Sequence, residues 1–192
     1  MKRVLAILGI AIGAVALPAQ AEIVDFNIGD NAFRLDLAGP LSRLFSGVSG
    51  QYDIGALLKP RTSDNLIQVH TGVLLTGDVG AKGIDLAAGL GGRIVYTGRN
   101  HDSGGAFAPG VQLEARLPEF NRFGTTFYGY FGPSVTSFGE VRKYQEYGLD
   151  LDYAVIKGGS VYVGWRSIKE DFEDQNSYTV DRGIHGGFRL KF

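Results

Sequence analysis

The 192-residue chain has no cysteine, one tryptophan and one methionine, and no surplus of basic side chains, with 19 Lys and Arg against 20 Asp and Glu. Without cysteine, neither a disulfide framework nor a thiolate metal site holds an exported chain of this size together, so its stability has another source. Without a basic surplus, nucleic acid is not the expected partner. Past residue 21 no apolar stretch approaches the roughly 20 residues of a membrane-spanning helix, so a chain that enters a bilayer beyond that point does so as strands. The three histidines, His70, His101 and His185, are scattered, which argues against a dedicated transition-metal site.

Met1, Lys2 and Arg3 form a short positive stretch, and an uncharged apolar run from Val4 to Leu17 leads into the small-residue sequence Leu17-Pro-Ala-Gln-Ala21. This is the build of a secretory signal peptide, with cleavage expected after Ala21. The apolar run is too short for a retained anchor, and Ala21 marks a site with no cysteine to carry the lipid of a lipoprotein. The chain is therefore expected to divide into a cleaved leader, 1–21, and one β-barrel domain, 22–192. Lys2 and Arg3 leave with the leader, so the formal charge of −1 becomes −3.

Glycine supplies 29 of 192 residues, about twice its usual share of around 7%, a level that suits many turns and a crowded barrel interior better than helices. From Ile67 onward the chain alternates with the period of a strand. Ile67, Val69, Thr71, Val73 and Leu75 share one face, and Gln68, His70, Gly72 and Leu74 share the other. The same holds for Leu90, Ile94 and Tyr96 against Gly89, Gly91 and Arg93, and for Val111, Leu113 and Ala115 against Gln112, Glu114 and Arg116. Tyr147, Leu149, Leu151, Tyr153 and Val155 oppose Gly148, Asp150, Asp152 and Ala154; after a turn through Gly158 and Gly159, Val161, Val163 and Trp165 oppose Tyr162, Gly164 and Arg166. The stretch Phe123 to Phe138 is mixed, with Phe127 and Phe131 on one face and Tyr128 and Tyr130 on the other. In the last strand Val180, Ile184, Gly186, Phe188, Leu190 and Phe192 alternate with Asp181, Gly183, His185, Gly187, Arg189 and Lys191.

Alternation alone does not separate a soluble barrel from a membrane barrel, because either has one apolar and one polar face. The polar face carries Arg93, Glu114, Arg116, Asp150, Asp152, Arg166 and Arg189 among glycines and alanines, a mixture that suits a narrow enclosed lumen of paired charges. The apolar face carries Tyr96, Tyr147, Trp165, Phe188 and Phe192, candidates for the interfacial aromatics of a membrane barrel. The expectation is a small closed antiparallel up-and-down transmembrane β-barrel. Nine segments are visible, and bacterial single-chain barrels have even strand numbers. Ile23 to Ile28, turned back by Gly29, Asp30 and Asn31, supplies the tenth, with eight as the alternative if the N-terminal region is a plug.

Three stretches, GVLLTGDVGAKGIDLAAGLGGRIVY from Gly72, YQEYGLDLDYAVIKGGSVYVGWRSIKEDF from Tyr144 and GIHGGFRLKF at the end, resemble the YfaZ family of outer-membrane proteins. The resemblance implies a Gram-negative outer-membrane barrel over most of the chain after the leader and no particular substrate. The final strand, with Ile184, Phe188, Leu190 and Phe192 on its apolar face, resembles the C-terminal signal read by the barrel-assembly machinery, which is the partner expected during biogenesis.

A barrel near the size that side chains just fill is expected to be a structural or binding element of the outer membrane, or at most a narrow porin-like pore. It is expected to contact outer-membrane lipid, to be a monomer, and to need no cofactor; the pair Gly91 and Gly92 has no following helix and is not phosphate-loop material. Two alternatives belong to other classes. A lipid-modifying enzyme would need a nucleophile, a base and an orienting carboxylate, for which His101, Asp102 and Ser103 are the nearest approach, and adjacency in a loop does not make that geometry. A soluble periplasmic barrel binding an apolar ligand would invert every face and bury Trp165.

Overall fold

The computed structural model describes residues 22–60, 65–80, 83–99, 102–173 and 177–192; the expected leader and His101 lie outside these described residues. Among the described residues there are eleven strands: β1 (Ile23–Gly29), β2 (Phe33–Pro40), β3 (Gly50–Lys59), β4 (Leu66–Asp78), β5 (Asp85–Arg99), β6 (Asp102–Arg116), β7 (Phe123–Gly132), β8 (Ser137–Gly139), β9 (Val141–Ile156), β10 (Gly159–Phe172) and β11 (Tyr178–Lys191). Each pairs antiparallel with its neighbour, β5 pairs β6, and β1 pairs β11, so the sheet closes on itself.

β7 and β8 are two parts of one barrel strand, since both lie against β6, with pairs Gly110↔Tyr130 and Ala106↔Ser137 on either side of a gap. Pro133 has no N–H to continue the ladder, and a 3-10 turn over Ser134–Thr136 carries the chain across the interruption. Thr136 stitches the turn back by donating its hydroxyl to the Phe107 carbonyl at 2.7 Å. Counted this way the barrel has ten strands, the even number expected once Ile23 to Ile28, here β1, is added to the nine segments visible in the sequence. Within β7 the alternation is regular, with Phe127 and Phe131 outward and Tyr128 and Tyr130 inward, and it is aromatics on both faces that blur the pattern in the sequence.

The closing seam joins the two ends of the described chain. Phe26 faces Phe188 in register, with ring centroids 5.6 Å apart, and Glu22 and Phe192 exchange backbone hydrogen bonds at 3.0 and 3.1 Å. Both ends therefore lie on the same rim as the turns β2–β3, β4–β5, β6–β7 and β9–β10. At the last of these Gly158 has φ +81°, and a Cβ there would meet the Lys191 carbonyl at 2.6 Å, so glycine is required twice over.

The faces are inverted relative to a water-soluble protein. Leu90 is 66% exposed and Ile184 65%, whereas Arg166 is 1% and Glu146 2% exposed. Exposed apolar side chains cover the outer wall of every long strand, and a continuous exposed belt of that kind is stable against hydrocarbon, not water. Trp165, which a soluble barrel would bury, is 37% exposed on this wall. With closed strands leaving no backbone edge and an outward apolar belt, the protein is an outer-membrane β-barrel.

Trp165 and Tyr147 sit mid-strand by count, yet they mark an edge of the belt. Their rings are 5.6 Å apart, and beyond them on the same outer face come Gln145 and Lys143 on β9, Ser167 and Lys169 on β10, and Arg182 on β11. The strands thus extend past the lipid on the loop side. Val180 departs from the alternation expected of the last strand. A bulge opposite Ile168 and Lys169 omits it from the β10–β11 register, which turns its side chain inward, where it is fully buried beside Ile168.

Candidate functional site

Inward-facing positions on nearly all strands converge on a belt of charges across the lumen. Arg34 on β2 reaches Asp36 Oδ2 at 2.7 Å and Glu146 Oε1 at 2.6 Å on the far wall. Arg93 on β5 lies 3.3 Å from Glu146 Oε2 and 3.0 Å from Asp53 Oδ2, and its guanidinium covers the Tyr130 ring at 4.1 Å. Tyr144 donates its hydroxyl to Glu146 Oε2 at 2.6 Å. His70 Nε2 stands 3.0 Å from Asp53 Oδ2 and 3.4 Å from Asp36 Oδ1. Glu146 is therefore held by two arginines and a tyrosine, with the carboxylate, Arg34 and Tyr144 buried and Arg93 nearly so.

A second set lies beside the closing seam. Arg189 joins Asp25 and Asp150, each at 2.6 Å, and its guanidinium stacks on Tyr162 at 4.1 Å. Tyr162 donates to the other oxygen of Asp25 at 2.5 Å, and His185 Nε2 donates to Asp150 Oδ1 at 3.1 Å. Arg166 takes Asp181 through Nε and Nη2 at 3.0 and 2.7 Å and Asn27 through Nη1 at 3.2 Å. Arg116 pairs with Asp152 at 2.8 Å nearer the terminal rim. Charges removed from water persist only when paired in this way.

Of the seven lumen charges singled out in the sequence, Arg93, Arg116, Asp150, Asp152, Arg166 and Arg189 are in ion pairs. Glu114 instead accepts from Gln112 Nε2 at 2.6 Å, at the exposed mouth. The network also includes Asp181, already on the polar face of the last strand by alternation, and Asp25, Arg34, Asp36, Asp53 and Glu146, which the alternation did not single out. Glu146 is legible in retrospect, because it shares the inward face of β9 with Asp150 and Asp152. The others lie in the short β1–β3 strands, where the alternation is weak.

Glycines make the network fit. A Cβ at Gly148 would lie 2.5 Å from the Tyr128 hydroxyl, and one at Gly72 would lie 2.5 Å from Cγ of Arg93 and 2.8 Å from Oδ1 of Asp53. Each of these inward glycines thus leaves space for a long side chain from an adjacent strand.

Toward the loop rim the lumen turns apolar. Leu57, Leu66, Val95, Ile168 and Val180, each at most 1% exposed, meet across the barrel with Ala32, Ala106 and Tyr144. Within this layer Glu170 accepts from Thr97 at 2.6 Å and Gln68 at 2.8 Å, tying β10 to β4 and β5 on the opposite wall. Lys59 bridges over the short β1–β2 hairpin to the Val180 carbonyl at 2.9 Å. From the terminal rim a cavity of about 910 Å³ opens inward as far as the charge belt, lined at its mouth by Asp78, Glu114 and Arg116 and by Arg34, Arg93 and Arg166 of the belt itself.

Both described histidines have a carboxylate partner, but among the described residues neither ring hydrogen-bonds a serine or threonine hydroxyl that could serve as nucleophile. Among the described residues no cluster of three or more His, Asp or Glu is disposed to hold a metal ion.

Among curated proteins none matches the chain. Solved structures similar to it include the outer membrane channel DcaP of Acinetobacter baumannii (13% identity, 88% of this chain and 62% of that one, TM-score 0.40). They also include a major outer membrane protein from Thermus thermophilus (11%, 90% and 100%, TM-score 0.40) and the KdgM porin (9%, 90% and 99%, TM-score 0.43). The chain thus spans 62% of the length of the Acinetobacter channel. The profile of the YfaZ precursor family matches residues 10–192, nearly the whole sequence, and the chain belongs to that family.

Proposed function

We propose that this barrel is a closed element of the outer membrane: sealed toward the cell surface, open as a polar vestibule toward the periplasm, and neither a steady channel nor an enzyme. The observation that carries this reading is the apolar layer of Leu57, Leu66, Val95, Ile168 and Val180, which lies between the charge belt and the loop rim and lines none of the vestibule. An ion crossing it would shed its hydration with no polar group to replace it except the Glu170 cluster, a cost of many kcal/mol. A ten-stranded barrel stands close to the eight-stranded size whose interior side chains fill, and far from the 16–18 strands of open porins. We assign the terminal rim, at which β11 ends beside β1, to the periplasm, the side from which the barrel-assembly machinery reads the final strand. Outer-membrane lipid and the barrel-assembly machinery are its expected partners, as a monomer.

Conductance in planar lipid bilayers tests this. The wild-type protein is expected to show no steady single-channel steps, and a Leu66→Ala, Val95→Ala, Ile168→Ala variant to show them. Steady, charge-selective steps from the wild type would replace this reading with that of a narrow pore whose filter is the arginine–carboxylate belt.

A further inference from the structure

The outer wall of β9–β11 carries cations that the lumen network does not use. Lys143 on β9, Lys169 on β10 and Arg182 on β11 all point outward, directly beyond the Tyr147–Trp165 edge of the apolar belt. In register Lys169 faces Gln145, two positions from Lys143, and Arg182 faces Ser167, two positions from Lys169. Diagonal neighbours of this kind are about 7–8 Å apart, so the three form one oblique row. No carboxylate pairs with any of them among the described residues; Asp171 faces Lys143 in register without forming an ion pair, and the nearby Arg142 is taken by Glu173.

Immediately below Lys143 the wall is hollow. Gly129 lies between the outward rings of Phe127 and Phe131, and with Leu90, Val111 and Tyr147 it bounds an apolar groove of about 620 Å³ in the lipid-facing surface. A Cβ at Gly129 would meet nothing nearer than 3.9 Å. The ammonium of Lys143 is 5.5 Å from the Phe131 ring centroid, so the cation row and the groove share a wall. A groove on this face is surrounded by hydrocarbon, and its apolar lining suits an acyl chain.

We propose that this surface binds a phosphorylated glycolipid of the outer leaflet, lipopolysaccharide in type, with phosphate on the Lys143–Lys169–Arg182 row and an acyl chain against Gly129. The row lies at the loop end of the belt, where outer-leaflet headgroups are, and unpaired cations just outside hydrocarbon complement anionic headgroups. This inference rests on the orientation proposed above and not on whether the lumen conducts.

The test is titration of the detergent-solubilised full barrel with purified lipopolysaccharide, read by native mass spectrometry, with phosphatidylethanolamine and phosphatidylglycerol as competitors. The Lys143→Gln, Lys169→Gln, Arg182→Gln variant is expected to bind about 100-fold more weakly, from about fivefold per cation beside an anionic lipid surface. Gly129→Leu, which fills the groove and leaves the cations, is also expected to weaken binding. A heat-dependent shift on a denaturing gel establishes that each variant is folded; if the triple variant is not, the single substitutions are titrated, with a loss of about fivefold each. Undiminished affinity in the charge variants overturns the proposal. So does phosphatidylglycerol competing as well as lipopolysaccharide, which would mark a generic anionic surface.

Discussion

Oε1 of Glu146 lies 2.6 Å from Nη1 of Arg34, although 112 residues separate the two and they stand on opposite walls of the barrel. The same carboxylate meets Arg93 from a third strand, so one side chain ties β2, β5 and β9 together. A barrel held by such a hub loses stability when the hub is neutralised.

Glu146→Gln leaves two buried guanidiniums with a neutral partner. Removing one member of a buried ion pair costs about 3–5 kcal/mol, and the loss of this hub is expected to fall in that range. Urea unfolding in micelles or liposomes, followed by tryptophan fluorescence, measures it; a cost below about 1 kcal/mol, the level of an exposed pair, would show that water reaches the belt.

Arg166 and Asp181 form a more isolated pair. Arg166→Met alone is expected to destabilise by several kcal/mol, whereas Arg166→Met with Asp181→Leu is expected to recover most of that loss, because apolar replacements of buried pairs are often neutral or better. A double-mutant cycle on refolding equilibria gives the coupling, and additive costs would count against it.

Gly148→Ala places a methyl group 2.5 Å from the Tyr128 hydroxyl. Overpacking of this kind costs about 1–3 kcal/mol. Tyr128→Ala in the same chain is expected to relieve the clash, seen as restored folding yield on the heat-dependent gel; a Gly148→Ala defect that persists with Tyr128→Ala would trace to the backbone instead.

Trp165 is the sole tryptophan, so its emission reports one position. At the edge of the belt it is expected to be quenched more by lipids brominated close to the headgroup than by those brominated near the acyl terminus. Strongest quenching from the bilayer centre would move the membrane boundary away from the Tyr147–Trp165 pair.

Much of the architecture is legible in the sequence because period two is a local property. Ile67 to Leu75 and Tyr147 to Val155 declare an apolar face and a polar face without reference to any other strand, and an even strand count is a consequence of closing an all-antiparallel sheet. Val180 escapes this pattern because a bulge lies in the pairing between two strands, not in either strand's own alternation. The β7–β8 interruption has a visible cause in Pro133, but the position of β6 opposite it is what shows that the strand resumes.

The partners of the charges are a different matter. Local alternation dictates which residues share a face, since a strand's pleat sends successive side chains to opposite sides. The closing strand and the glycines that leave room in the lumen are likewise written in the chain. Folding into a closed barrel is what gives Glu146 its two arginines, Arg34 and Arg93, gathers Leu66, Val95 and Ile168 into one layer, and sets Lys143 beside a groove at Gly129. Those relations depend on stagger and curvature around a closed sheet, which bring distant strands together across the lumen at distances no local pattern encodes.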